Sequence, residues 1–379
     1  MNIHLFMDPF GYYSCQFAER IQQIDPKNNT IVNINQAKIK HASILYFSRY
    51  SRSLKKFLNS FDSVERIYFH YYNPIFQEIN RKFKRRNPSI ISVWCFWGGD
   101  LYSLPELAES GYLGFSKENA MKTNISKSNI IRNFTRNIYY RLTARIVYDP
   151  KSYIDSIKQI DYLGAYFKED YDAVEAYTGQ NNLRFVKFPY LSLELILGDL
   201  NEWQIDKVGE KIMIGHSADP GLNHYEIIQK LNGFGCTKTL LLPLNYGDNY
   251  YKEKLLNATV KFDLKLEVID EYLPLSEYNK KLIEVGYAIF NVDHQQAFGN
   301  IITLVWLGVK VFLHKNSGIY LEFKRLGFYI FCIEDIVDMS VFKPLSSAEC
   351  DTNRSVLNAI LSSDITNSMN KNLLELKAI

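Results

Sequence analysis

No run of apolar residues in this chain is long enough to cross a bilayer. The longest, Ile301 to Leu313, is interrupted by Lys310. Cysteine is scarce: Cys15, Cys95, Cys236, Cys332 and Cys350 are five in 379 residues, scattered and without metal-type spacing. This excludes a disulfide scaffold or thiolate metal centre and predicts reduced thiols in a cytosolic setting. Charge of one sign is also missing, since 44 basic residues face 41 acidic ones. No global field therefore points to nucleic acid, and only local basic clusters matter. The opening MNIHLFMDPF lacks a basic stretch and meets Asp8 early, unlike a secretory leader. Neither a Gly-Lys-Ser/Thr phosphate loop nor the GxGxxG dinucleotide spacing occurs. The expectation is a soluble or membrane-surface protein.

What is abundant is apolar and aromatic material, 47% and 15% of residues, which excludes disorder and predicts extensive cores. The length accommodates two domains. Short apolar runs recur at Ile3 to Phe6, Thr30 to Ile34, Ile44 to Phe47, Arg66 to His70 and Ile90 to Phe96, separated by helical or loop segments. Ile160 to Phe188 adds two strands around an acidic helix, KEDYDAVEAY. Its Asp170-Tyr171-Asp172 triplet imitates a metal-diphosphate motif, but an acidic first helical turn explains it on dipole grounds. Pro189 to Asp206 reads as a linker. The alternation resumes at Ile212 to Ile214, Thr239 to Leu242, Leu266 to Ile269, Tyr287 to Asn291, Val309 to Leu313 and Tyr329 to Ile333. Both halves therefore read as α/β, with parallel sheets covered by helices. The expected division is 1–195, 205–345 and a helical tail, 346–379, packing back across both domains.

In such sheets ligands gather at the carboxyl ends of the strands. In the first half those ends offer His70 and Asp100, the candidates for proton transfer. Each has a plainer alternative: His70 bonded to neighbouring backbone, and Asp100 capping a turn after Gly98-Gly99. In the second half, Gly215 and Ser217 precede a helix, as do Gly299 and Asn300, so both starts offer N–H groups and a positive dipole end to a phosphate. Between strand and helix, the loop Asp293, His294, Gln295, Gln296 and Phe298 is rich in amides. An ordinary connection capped by Asn300 is the alternative there. No metal cluster is visible, and no cofactor is implied.

From Lys117 to Tyr148 the chain is strongly basic. Ile131, Phe134, Ile138, Leu142 and Ile146 recur with helical spacing, flanked by Arg132 and Arg136 on one side and Arg141 and Arg145 on the other. Such a helix suits an anionic membrane surface; packing of the same stripe on the protein's own sheet is the alternative. The run Arg81 to Arg86, RKFKRR, fits a solvated helix end.

The motifs FHYYNP (Phe69 to Pro74), WCFWGGDLYSL (Trp94 to Leu104), IGHSADPGLNH (Ile214 to His224), LPLNYGDNYYKE (Leu242 to Glu253) and HQQAFGNIITLVWLGVKVFL (His294 to Leu313) stand in one order. In that order they resemble the bacterial glycosyltransferase family 56, with Gly99 where the family usually has alanine. The family's characterised activity is transfer of 4-acetamido-4,6-dideoxygalactose (Fuc4NAc) from a dTDP donor to a polyprenyl-diphosphate disaccharide. The resemblance implies a GT-B fold, two Rossmann-like domains facing across a cleft, with the acceptor in the first and the donor in the second. It implies a dTDP- or UDP-sugar, a polyprenyl-diphosphate-linked glycan and the cytoplasmic face of a bacterial inner membrane. Gln295 and Gln296 stand where retaining enzymes of this fold often carry a glutamate, which favours inversion. Asp100 is then the expected base with His70 as alternative. Gln296, Gly299, Asn300 and Ser217 are expected on the diphosphate, and Tyr246, Tyr272 and Leu273 at the nucleoside. Two other readings are a sugar-nucleotide epimerase of the same fold and a non-catalytic binding partner in polysaccharide assembly.

Overall fold

The computed structural model describes residues 1–48, 51–60, 64–104, 107, 109–120, 150–198 and 209–377. In chain order its main elements begin with β1 (Asn2–Phe6), α1 (Tyr12–Ile24), β2 (Asn29–Asn33), β3 (Ile44–Tyr46), α2 (Arg52–Asn59), β4 (Arg66–His70), α3 (Pro74–Arg86) and β5 (Ile91–Cys95). Next come α4 (Gly114–Asn119), α5 (Pro150–Ile157), β6 (Tyr162–Ala165), α6 (Lys168–Thr178) and β7 (Arg184–Lys187). The second half has β8 (Lys211–Ile214), α7 (His224–Gly233), β9 (Leu240–Pro243), α8 (Asn249–Thr259), β10 (Leu266–Ile269), α9 (Leu275–Ile283), β11 (Val285–Phe290), α10 (Phe298–Trp306) and β12 (Lys310–Leu313). It closes with α11 (Gly318–Arg325), β13 (Phe331–Cys332), α12 (Ser347–Leu361) and α13 (Ser363–Leu374).

These elements form two compact units. The first holds a seven-stranded sheet in the order β3-β2-β1-β4-β5-β6-β7, and the second a six-stranded sheet in the order β10-β9-β8-β11-β12-β13. Every paired strand is parallel. Burial on both faces explains the composition: β1, β5 and β11 are buried throughout, so they read as continuous apolar runs without alternation. In each sheet the winding reverses direction once, between β1 and β4 and between β8 and β11. At such a point the two adjoining connections leave on opposite faces and open a crevice at the carboxyl edge.

The units are not the contiguous blocks expected. The described residues from 102 to 120 belong to the second unit, which then resumes at Leu191 and runs to Ser363. Helix α4 docks there on α7: Ser116 donates its amide and hydroxyl to Glu226 at 3.1 and 2.9 Å, and Phe115 stacks on Tyr225. The expected helical tail is also divided. Helix α12 packs on α10 in the second unit, while nearly all of α13 belongs to the first. There Leu373 joins the core around Phe6, Tyr68 and Val93, and Tyr68 donates to the Leu373 carbonyl at 2.8 Å. A one-dimensional pattern of apolar runs carries no signal for such exchanges, because each helix is amphipathic whichever sheet it covers.

Leu373 is fully buried. Its replacement by alanine is expected to destabilise the protein by about 2–5 kcal/mol through lost burial and a residual cavity. Urea denaturation measures this; a change below about 1 kcal/mol would show that α13 is dispensable to the first core.

Candidate functional site

In the first unit, Asp100 lies under the turn that follows β5 and is 3% exposed. One carboxylate oxygen accepts from the Trp97 amide at 3.1 Å. The other accepts from the Tyr72 amide at 3.2 Å and the Trp94 indole at 2.5 Å. Tyr72 follows β4 and Trp97 follows β5, so one carboxylate fixes both strand-end loops. Burial pushes Asp100 up to about 7, against the pull of these donors. The helix-capping alternative is nearer to the observed role, with the carboxylate serving two loops at once.

His70 is 1% exposed and sits in a directed chain. Asn29 donates its side-chain N–H to the Asp25 carbonyl, so its Oδ1 accepts from His4 Nε2 at 3.0 Å. His4 Nδ1 must then accept from His70 Nε2 at 3.2 Å, leaving His70 Nδ1 to face the Tyr190 hydroxyl at 3.2 Å. Burial and the neighbouring His4 hold His70 well below the usual histidine range, and burial takes His4 down to about 4. Both rings stay neutral at pH 7. Both candidate bases are thus interior groups of the first unit's carboxyl edge: Asp100 ties two strand-end loops, and His70 continues a hydrogen-bonded chain that ends at the Tyr190 hydroxyl.

The second unit brings most of the remaining candidates to one edge. Gly215 leaves β8 with φ +65°, and a Cβ there would stand 2.5 Å from His224 Nε2, so only glycine fits. Burial holds His224 down to about 4. Ser217 follows, buried, and Asp219 then accepts from the Gly221 amide at 2.8 Å. Across the reversal point, β11 runs into Asn291 and the loop to α10. Two ties join the loops: Asn223 Nδ2 reaches the Asn291 carbonyl at 3.0 Å, and Gln296 Nε2 donates to Asp219 Oδ2 at 2.6 Å.

Helix α10 starts at Phe298 from Ala297, whose φ is +58°, and no side chain caps it. Asn300 is not the cap; it lies in the first turn, where its Oδ1 accepts from the Tyr278 hydroxyl at 3.1 Å. A Cβ on Gly299 would meet nothing within 4 Å, so the first turn borders open space. Gln295 and Phe298 are partly buried beside it, while Tyr246, beyond β9, and Tyr272, beyond β10, are 54% and 84% exposed and Leu273 is partly buried. Neither Gly215 to Gly221 nor Asp293 to Asn300 contains lysine or arginine. An anion held here would meet amides, a hydroxyl and the dipole of α10.

Three features escaped the sequence reading. Asn223 occupies the left-handed region (φ 50°), is buried, and its side chain reaches Gly111, Gly221 and Asn291 carbonyls while accepting the Leu113 amide at 2.8 Å. Tyr102 stacks on His294 with ring centroids 4.4 Å apart. His294 Nδ1 pairs with Asp293 Oδ1 at 2.9 Å. Adjacent Asp-His in a strand-end loop was the available signal for the last. Arg132, Arg136, Arg141 and Arg145 lie outside the described residues. Asp170 and Asp172 lie in α6, with Asp170 in its first turn. Among the described residues no group of three or more histidine, cysteine or acidic side chains is placed to hold a metal, and no helix is long and apolar enough to cross a membrane.

No protein-family model matches the chain. Solved structures do. Sucrose-phosphate synthase from Thermosynechococcus elongatus superposes with a TM-score of 0.61 at 10% identity, over 99% of this chain and 98% of that one. Anabaena HepE in complex with UDP-glucose gives 0.61 at 11%, over 99% and 100%. A UDP-forming α,α-trehalose-phosphate synthase from Burkholderia xenovorans, in complex with glucose-6-phosphate, gives 0.57 at 8%, over 98% of each chain. The chain has a GT-B-type fold.

The burial of Asp100 has a measurable consequence. Its folded value, about 7, lies above the unfolded one near 3.9. As pH rises from about 4 to 7, the unfolded chain releases this proton first, so the group's contribution to stability is lost across that window and levels off above it. Asp100→Asn removes this titration but forfeits an acceptor, at a cost of about 1–3 kcal/mol. Urea titrations from pH 4 to 8 should show the gap between wild type and variant narrowing as pH rises; parallel curves would refute the shift.

Proposed function

We propose that this chain is a glycosyltransferase that uses a nucleoside-diphosphate sugar. The observation that carries the reading is the second unit's edge, where two tied strand-end loops and the uncapped start of α10 converge at the sheet's reversal point. In support, a structurally similar protein, Anabaena HepE, has been seen with UDP-glucose and with UDP. In this reading Gly215, Ser217, Gln296, Gly299 and Asn300 surround the diphosphate, with the dipole of α10 in place of a metal. Gln295 and Phe298 border the same turn. The exposed faces of Tyr246 and Tyr272, with Leu273, offer an apolar platform to the base and ribose.

At a finer level the motif order supports a donor of the dTDP or UDP type, with a deoxy-amino sugar such as Fuc4NAc, and a polyprenyl-diphosphate-linked glycan as acceptor. Gln295 and Gln296 in the donor loop favour inversion by direct displacement: the acceptor oxygen attacks the anomeric carbon as the diphosphate leaves. A peripheral position on an anionic inner-membrane surface rests on the sequence pattern around Arg132, Arg136, Arg141 and Arg145.

Melting curves with UDP, dTDP, GDP and CDP, with and without EDTA, test the central reading. One uridine or thymidine diphosphate is expected to stabilise the fold by about 2.7 kcal/mol at 100 times its dissociation constant, unchanged by EDTA. Ser217→Ala should weaken that nucleotide about 5–10-fold, the equivalent of one hydrogen bond. No stabilisation by any nucleotide would remove the donor site.

A further inference from the structure

Asp100 and His70 are buried in the first unit, and the second unit holds a partly exposed candidate for the proton acceptor. We propose that His294, oriented by Asp293, is the general base that takes the proton from the acceptor hydroxyl; this rests on the donor-site reading above. The two residues form a dyad: Asp293 Oδ1 and His294 Nδ1 are 2.9 Å apart. A carboxylate on Nδ1 selects the tautomer with its proton there and turns the Nε2 lone pair outward, the arrangement by which an imidazole accepts a proton from a hydroxyl. Among the described residues no protein group hydrogen-bonds Nε2, and the ring remains 15% exposed.

Several contacts hold the dyad in position. It lies between the two loop ties, Asn223 to the Asn291 carbonyl before it and Gln296 to Asp219 after it. Gly111 comes so close that a Cβ there would stand 2.8 Å from Asp293 Oδ1, and Tyr102 stacks on the imidazole face. The titratable groups facing the dyad are therefore each other, the Tyr102 phenol and the His314 imidazole, whose charge acts on Asp293. The hydrogen bond from His294 is the main reason that Asp293 stays below the usual carboxylate range. His294 precedes the uncapped start of α10 by four positions, on the same short loop as Gln296.

The step balances without a further reactant. The acceptor oxygen forms a bond to the anomeric carbon, its proton passes to His294 Nε2, and the bond from the anomeric carbon to the phosphate oxygen breaks with its electron pair leaving on the diphosphate. Asp293 stabilises the imidazolium that results. Asp293 is a positioning residue, and the proposed catalytic residue is His294.

The test uses the full chain with 15N-labelled histidine, its His294 signal assigned by His294→Gln. Long-range 15N–1H spectra across pH, with and without saturating UDP, are expected to show neutral His294 with its proton on Nδ1. The His294 signal should move when UDP binds, and the preference for Nδ1 should weaken in Asp293→Asn. With a UDP-sugar that the wild type turns over, His294→Gln should lose about 10²–10⁴-fold in UDP release and the acid limb of its pH profile, with UDP affinity retained. A proton on Nε2, a His294 signal indifferent to UDP while the nucleotide demonstrably stabilises the fold, or an unchanged pH profile would each overturn the proposal. Failure of UDP to bind wild type at all would instead strike the donor site itself, and this inference with it.

Discussion

The loops at the second unit's carboxyl edge depend on one side-chain amide. Asn223 is buried and stands where the chain turns from the loop after β8 into α7, in a left-handed conformation that asparagine tolerates better than most residues. Its Nδ2 has three carbonyls at 3.0 Å, those of Gly111, Gly221 and Asn291, and its Oδ1 accepts the Leu113 amide. Three stretches of backbone distant in sequence thus share one planar group. A hydrocarbon of equal size would leave the Leu113 amide and these carbonyls without their partner, and unmet buried polar groups cost about 1–3 kcal/mol each. Everything that makes the edge a site, the tie between the loops, the approach of Gly111 to Asp293 and the stacking of Tyr102 on His294, is consistent with that anchoring.

Burial sorts the ionisable groups into two roles. Asp100 and His70 stand at strand ends, where catalytic groups are usually sought, yet both are enclosed and hydrogen-bonded. Asp100 joins the loops after β4 and β5, and His70 extends the chain from Asn29 through His4 to Tyr190. In the second unit, Asp293 and His294 keep partial exposure, and the Gly299 turn faces open space. The backbone amides and helix dipole at that edge stand without fixed cations between Gly215 and Gly221 or between Asp293 and Asn300.

Much of the fold was legible in the residues. Continuous apolar runs such as Ile67-Tyr68-Phe69 and Tyr287 to Phe290 became central parallel strands because burial on both faces demands apolar side chains at every position. Gly215, Ser217, Gln296 and Gly299 came together at one edge because parallel winding places every strand's carboxyl end on the same side. The alternative cap, Asn300, lies three positions past the observed one, since the left-handed Ala297 starts the helix without a polar cap and leaves no composition signal. Asp100 stood out in the sequence as a strand-end carboxylate, but its hydrogen bonds to Trp94 and Tyr72 could not be read there, since no spacing relates them to it.

By itself the sequence determined the two-sheet α/β plan, the order of strands and loops, and the residues eligible for chemistry, because periodicity and polarity are local properties of the chain. Tertiary structure alone decided which unit claims residues 102–120 and α13, which carboxylate is enclosed and which imidazole keeps partial exposure. Those outcomes turn on burial and on hydrogen bonds between residues as far apart as Leu113 and Asn223, or Tyr68 and Leu373. Such contacts are made by packing, and adjacency along the chain does not encode them.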